Sequence, residues 1–263
     1  MSTAWPFVER MLIFDELEST NTTARELALD SSRRDPLPLG IWARRQTRGR
    51  GQRESSWWSD EGSLTFTLLL DPAAHRLRLD QAPRLALTAA VALIETVADL
   101  GWTDPGLGVR WPNDVEHDGR KLAGILPERI ETDRGDRLVI GVGVNVASRL
   151  DQAPPEIQAM AGSLGELQPE PLAPDVLPTF LAAFLNRFPS TLRRLADDDP
   201  SLAAAWSRLD LLRDRPIRVA LGPRSLSGIA RGIDPEGALL VDDGRETQRL
   251  FGGRVLRGPS GSR

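Results

Sequence analysis

The sequence contains no cysteine, no tyrosine and only two histidines, His75 and His117. Without cysteine there is no disulfide, no thiolate metal site and no cysteine nucleophile. The shortage of histidine confines any Ser-His-Asp arrangement to two residues in polar, turn-like surroundings, both read as surface positions. No apolar run is long enough to span a bilayer. The N-terminal Met1-Ser2-Thr3-Ala4-Trp5-Pro6 lacks the basic segment and apolar core of a secretory signal. A net charge of −4 over 263 residues argues against a protein that coats nucleic acid. These absences predict a soluble cytoplasmic protein with no membrane and no nucleic-acid partner.

What is present is ordinarily globular: 40% hydrophobic and 27% charged residues, enough for one large domain or a large and a small one. Apolar patterning predicts strands over 11–18, 41–43, 64–70 and 137–146. A helix is expected from Thr23 to about Asp30, with Ser19-Thr20-Asn21 as cap candidates, and a long polar loop over 44–60. The clearest helix spans 82–100 and is stopped by Gly101. Further helices are expected over 154–167, 174–196 and 202–212. After Pro216 the pattern changes. Short strands at roughly ten-residue spacing, punctuated by Gly222-Pro223, Asp234-Pro235-Glu236-Gly237 and Asp242-Asp243-Gly244, predict a small antiparallel barrel. The reading is an α+β fold with a main domain over 1–213 and a β module over 214–263.

Residues 108–128 are the most informative stretch. A strand start runs into Trp111-Pro112-Asn113-Asp114, and Pro112 must end or bulge that strand because it donates no ladder hydrogen bond. His117-Asp118-Gly119 reads as a hairpin turn, after which Lys121 heads a second apolar run. The geometry gathers Asn113, Asp114 and Lys121 at one end of a sheet. A cation and small polar groups on rigid strands suit an anionic, phosphate-bearing reaction centre.

Gln46-Thr47-Arg48-Gly49-Arg50-Gly51-Gln52-Arg53 is the second such stretch. Two glycines spaced by Arg50 let backbone amides cup an anion, and five arginines (44, 45, 48, 50 and 53) pair readily with phosphate or carboxylate. It is neither a Walker loop nor a Rossmann fingerprint. Taken singly, the loop reads as a solvated basic surface, Ser19-Thr20-Asn21 as a helix cap, Lys121 as a surface lysine, and Gly141 and Gly143 as packing glycines.

Their joint order carries more. Ser-Thr-Asn after a first strand is followed by Gln-Thr-x-Gly-Arg-Gly, then by Trp57, Ser59 and Gly62-Ser63-Leu64. Trp-Pro-Asn-Asp, Lys-Leu-Ala-Gly-Ile-Leu-x-Glu and Ile-Gly-Val-Gly-Val-Asn complete the series, which resembles the biotin–protein ligases over residues 11–146. Residues 216–257 resemble that family's C-terminal SH3-like barrel. The resemblance implies a mixed-sheet catalytic core of the biotin/lipoate-ligase type, related to class II aminoacyl-tRNA synthetases. It implies an enzyme that joins biotin to the α-phosphate of ATP with Mg²⁺. The biotinyl group then passes to a lysine of a biotin carboxyl carrier protein, the acceptor subunit of a biotin-dependent carboxylase.

Residue by residue, Lys121 matches the lysine that contacts both biotin's carboxylate and the α-phosphate, and with Arg50 it is the expected catalytic pair. Ser19, Thr20, Asn21 and Gln46 match the head-group pocket. Gly49, Arg50 and Gly51 match the loop over the adenylate, Trp57 matches the aromatic that orders it, and Gly124 lies where backbone meets biotin. Gln52, Arg53, Asn113, Asp114 and Asn145 fall at the nucleotide end. No resident metal ligand is expected. One departure stands out: Gln52 replaces an arginine that caps the adenylate in the family, and Glu54 replaces a glycine. This predicts looser retention of the adenylate.

Some members of that family carry an N-terminal DNA-binding domain. Here the first catalytic strand starts by residue 11, so a ligase alone is expected. A homodimer is possible through an exposed sheet edge. The alternatives are a lipoate or octanoate ligase, which shares the fold, and a non-catalytic biotin sensor, suggested by the altered loop.

Overall fold

Two periodicities, one for strands and one for helices, set which residues of each element face the core. The computed structural model describes residues 5–52, 55–102, 104–173 and 175–257. Strands β1 (Arg10–Leu17), β2 (Leu39–Gln46), β5 (Ser63–Leu70), β6 (Leu107–Arg110), β7 (Asp114–His117), β8 (Arg120–Thr132) and β9 (Gly135–Asn145) form one seven-stranded sheet. Its order is β1-β2-β5-β9-β8-β7-β6. Only β1 and β2 run parallel, joined by a crossover through helix α1 (Thr20–Leu29); the remaining pairs are antiparallel. Two further strands, β3 (Gly49–Arg50) and β4 (Ser56–Trp57), pair as a short ribbon beside the sheet.

On β5 the alternation is chemical as well as geometric. Leu64, Phe66, Leu68 and Leu70 point into the main core, while Ser63, Thr65 and Thr67 take the opposite face. Helices α2 (Leu85–Asp99), α4 (Val176–Ala196) and α5 (Pro200–Leu209) cover the apolar face. Phe180, Phe184 and Phe188 recur every four residues on α4 and are fully buried. Phe184 stacks on Phe188 at 5.4 Å and meets Phe66 edge-on at 5.3 Å. Each such ring contributes about 2–3 kcal/mol through burial.

Several elements depart from expectation. Helix α1 begins at Thr20, three residues early, and the Ser19 side chain makes no cap hydrogen bond. The polar loop expected over 44–60 is shortened by the run of β2 to Gln46 and by the β3–β4 ribbon. Helix α2 starts at Leu85, after a 3₁₀ stretch over Leu79–Arg84 that contains Pro83; Gly101 stops it at φ 77°. The helix expected over 154–167 is broken into α3 (Pro155–Gln158) and a 3₁₀ turn over Leu164–Leu167; Pro155 suits its first position, while Gly162 and Gly165 disfavour its continuation. Neither histidine is fully exposed. His75 packs on Phe7, and His117 Nε2 lies 2.7 Å from Asp104 Oδ1.

The C-terminal module is a five-stranded antiparallel sheet of order β13-β12-β11-β10-β14. Its strands are β10 (Pro216–Leu221), β11 (Arg224–Ile233), β12 (Leu239–Asp242), β13 (Thr247–Leu250) and β14 (Arg254–Val255). Among the described residues β13 and β14 do not pair, so the barrel is not closed. Val219, Ala230, Ile233, Leu239, Val241 and Val255 belong to the same core as α2 and α5. No helix among the described residues is long and apolar enough to cross a membrane.

Candidate active site

The polar face of β5, β9 and β8 is the floor of the site. Register places Thr67 opposite Gly141, Thr65 opposite Gly143, and Gly143 opposite Gly124. Over this floor lies the first turn of α1. Thr20 N and Oγ1 donate to Gln46 Oε1 at 2.7 and 3.2 Å. Thr67 Oγ1 lies 2.8 Å from Thr20 Oγ1 and 2.7 Å from Asn21 Oδ1. Asn21 Nδ2 donates to Leu126 O at 3.1 Å and to Glu128 Oε1 at 2.8 Å. Ser19, Thr20 and Asn21 are all at most 4% exposed. Thr20 and Asn21 thus point at the sheet, and Ser19, at the N-cap position, makes no side-chain cap hydrogen bond. A Cβ at Gly141 would stand 2.0 Å from Asn21 Oδ1, so the close approach of helix to strand requires glycine there.

Lys121 reaches the same floor because β8 is irregular. The register between β7 and β8 shifts after Val115, so that Glu116 faces Lys121 while Asp114 faces Gly124. The extra residue, Leu122, turns into the core, which lets Lys121 and Gly124 share a face three residues apart. The turn before it has Asp118 at φ 47° and Gly119 at φ 78°, the pairing a tight hairpin needs. Lys121 Nζ lies 2.7 Å from Asp114 Oδ1 and 5.5 Å from the Trp57 ring centroid. Its backbone is fixed as well: Lys121 N donates to Met160 O at 2.7 Å, and Gly162 N donates to Lys121 O at 2.9 Å. Asn145 Nδ2 donates to Gly162 O at 3.0 Å, and Asn113 Nδ2 to Ile125 O at 2.8 Å. Both asparagines hold the backbone around the lysine.

The arginine loop contributes one described arginine to this place. Arg50 donates to both carboxylate oxygens of Glu128, at 3.1 and 3.3 Å. Glu128 thereby ties the loop to Asn21, a role missed in the sequence reading. Arg44, Arg45 and Arg48 pair instead with Asp15, Glu16 and Glu18 beside β1, and these are exposed pairs of small energetic weight. Arg53, expected at the nucleotide end, lies outside the described residues. Gly49 is needed because a Cβ would stand 2.4 Å from Trp57 O, and Gly51 N donates to Ser55 O at 2.7 Å. Trp57 rests on the two floor glycines: a Cβ at Gly143 would stand 2.5 Å from its indole. The space left between α1, Gln46, Trp57 and the floor is narrow, about 40 Å³.

Outward from Lys121 the site widens to a cavity of about 600 Å³ between the hairpin and the C-terminal module. Its wall includes Gln52, Trp58, Trp111, Asn113, Asp114 and Asn145. Among the described residues four cations line it, Arg110, Lys121, Arg254 and Arg257, against the single carboxylate Asp114. The three arginines were not singled out from sequence, because two of them arrive from the far C-terminal end. Among the described residues no group of three or more histidine or acidic side chains could hold a metal ion.

Comparison with known proteins shows the family. Residues 14–145 match the biotin/lipoate A/B protein ligase family, and residues 214–258 match the biotin protein ligase C terminal domain. The biotin–[acetyl-CoA-carboxylase] ligase of Mycobacterium tuberculosis is 32% identical over 241 residues, covering 91% of this chain and 86% of that protein. The bifunctional ligase/repressor BirA of Bacillus subtilis is 28% identical over 95% of this chain and 74% of its own length. The fold resembles that of the biotin protein ligase from Aquifex aeolicus, solved with biotin and ATP, with a TM-score of 0.77 at 24% identity, over 94% of this chain and 98% of that one.

Proposed function

Because this chain belongs to the biotin/lipoate A/B protein ligase family, we propose that its site carries out ATP-dependent biotinylation through a biotinyl-adenylate. A carboxylate oxygen of biotin attacks the α-phosphorus of Mg·ATP, the bond to the β-phosphate breaks, and pyrophosphate leaves. A carrier lysine amine then attacks the acyl carbon of the mixed anhydride, AMP leaves, and the amine gives up a proton. The acceptor is the biotin carboxyl carrier protein of a biotin-dependent carboxylase, in the cytoplasm where ATP is at hand.

The observation that carries this reading is the position of Lys121. Its ammonium stands where a neutral polar pocket meets a cationic cavity, held by Asp114 at 2.7 Å. A cation fixed at that junction neutralises charge that builds on the carboxylate and the α-phosphate together. Ser19, Thr20, Asn21 and Gln46 supply acceptors and donors that suit a neutral cyclic urea, as in the biotin head group. Gly124 and Gly143 let the ligand or Trp57 approach the backbone. Trp57, with Gly49, Arg50 and Gly51, closes the reactive anhydride from water. Asn113, Asp114 and Asn145 act by fixing Lys121 and the backbone around it. The match of residues 214–258 to a C-terminal domain supports a boundary near 213/214.

The test is the intact mass of an unmodified carrier domain after incubation with the protein, biotin and Mg·ATP. One biotin-sized gain on a single lysine is expected, and Lys121→Ala should abolish it. No gain while biotin still binds would favour a sensor. No biotin binding at all would overturn the reading, and lipoate would be tried.

A further inference from the structure

Glu116 is the one acidic side chain buried among the described residues, 2% exposed, and the reaction above makes no use of it. A lone carboxylate in such a place is costly unless paired. Two arginines pair with it. Arg257, beyond β14, donates to Glu116 Oε1, and Arg110 of β6 lies 3.8 Å away. The second terminal nitrogen of Arg257 donates to Gly119 O, in the turn that leads into Lys121. Arg110 also donates to Val255 O at 3.4 Å. Trp111 Nε1 adds a bond of 3.1 Å to Gly237 O. Burial pushes the Glu116 carboxyl above the ordinary range, while Arg257 and then Arg110 pull it down.

Glu116 therefore lies behind the outer cavity, and the arginines it holds are on the cavity wall. Among the described residues the wall carries four cations and one carboxylate, so that even with Glu116 behind them cations outnumber carboxylates four to two, in a protein whose net charge is −4. That local excess of positive charge suits a polyphosphate. Resting on the ligase reading, we infer that Glu116 is a positioning residue for ATP: it anchors Arg110 and Arg257, and through Arg257 the C-terminal module, against the hairpin that bears Lys121. Its carboxylate touches neither substrate nor the reacting atoms. It acts by setting where the two guanidiniums stand when the leaving pyrophosphate needs them.

The test is biotin-dependent pyrophosphate release by Glu116→Gln as a function of Mg·ATP, with biotin affinity measured in parallel. Loss of a charge-assisted contact on this scale should raise KM for ATP about tenfold. The kcat at saturating ATP and the biotin affinity should stay within about twofold. The double variant Glu116→Gln/Arg257→Gln, which removes the carboxylate together with its nearest guanidinium, should raise KM for ATP at least as far as the single one; it also serves if the single variant fails to fold. An unchanged KM for ATP, or equal losses in biotin affinity and kcat, would overturn the inference. Calorimetry with inorganic pyrophosphate separates the two readings. If the wild-type protein releases no pyrophosphate yet Glu116→Gln binds it about tenfold more weakly, the positioning role stands and the ligase reading falls. Equal pyrophosphate affinity in both proteins would remove the positioning role whatever the activity.

Discussion

Gln52 lines both the head-group pocket and the outer cavity, and its backbone oxygen accepts from Ser55 N and Oγ at 3.1 and 2.7 Å. An arginine there would meet the nucleotide end with a bidentate cation. Gln52→Arg is accordingly expected to slow dissociation of the biotinyl-adenylate on the order of tenfold, read by the decay of bound adenylate after excess unlabelled biotin is added. Unchanged decay would show that the cavity arginines already do that work. At this scale legibility depended on sequence distance. Lys121, Gly124 and Asn21 could be found because each lies in a short local pattern. Glu128 acts on Arg50 from 78 residues away, and Arg257 on Glu116 from 141. No local pattern encodes those meetings. The cap reading of Thr20 and Asn21 failed for the same reason: Gln46, Thr67 and Glu128 offer these side chains partners that only the folded sheet provides.

Among the elements, the β7–β8 hairpin was legible because a proline break before β7, an Asp-Gly turn and the apolar run of β8 fall in one stretch. The bulge at Leu122 was not visible, although it decides which way Lys121 faces. The segment 154–167 was misread since an apolar pattern persists there while Gly162 and Gly165 disfavour a continuous helix. The turn gives a direct check. Gly119 has φ 78°, where a β-branched residue costs about 1–2 kcal/mol. Gly119→Val should lower the melting temperature by several degrees and reduce kcat more than it alters biotin affinity, since it displaces Lys121 and leaves α1 untouched. A variant with normal kcat would mean that the turn does not set the lysine.

For the whole molecule, the C-terminal sheet is not an appended bead. Its inner residues join the core of α2 and α5, so the change of composition after Pro216 marks a change of architecture and not a separate core. At the opposite end, the N-terminal segment closes through Phe7, which packs on His75 and, edge-on, on Phe188. Burial lowers the pKa of His75. The folded state thus prefers the neutral ring, and this contribution is present above the unfolded value of about 6.5 and lost as the pH falls below it. The drop in melting temperature between pH 7.5 and pH 5.5 should be smaller in His75→Leu than in the wild type. An equal drop in both would assign the acid lability elsewhere.

The strands at the centre serve two masters by parity. On β9, Leu138, Ile140, Val142 and Val144 build the main core, and on the opposite face Gly141, Gly143 and Asn145 build the site. Removing a single residue from β9 would exchange the two sets, thrusting branched side chains against Asn21 and Trp57 while leaving glycines to fill the space under α4. Frame errors in this strand would abolish folding and chemistry together, whereas β13, on the outer edge of the C-terminal sheet, has no such double duty. Tolerance to insertions and deletions should therefore fall from the rim of the molecule toward its centre, set by how many faces of each strand are in use.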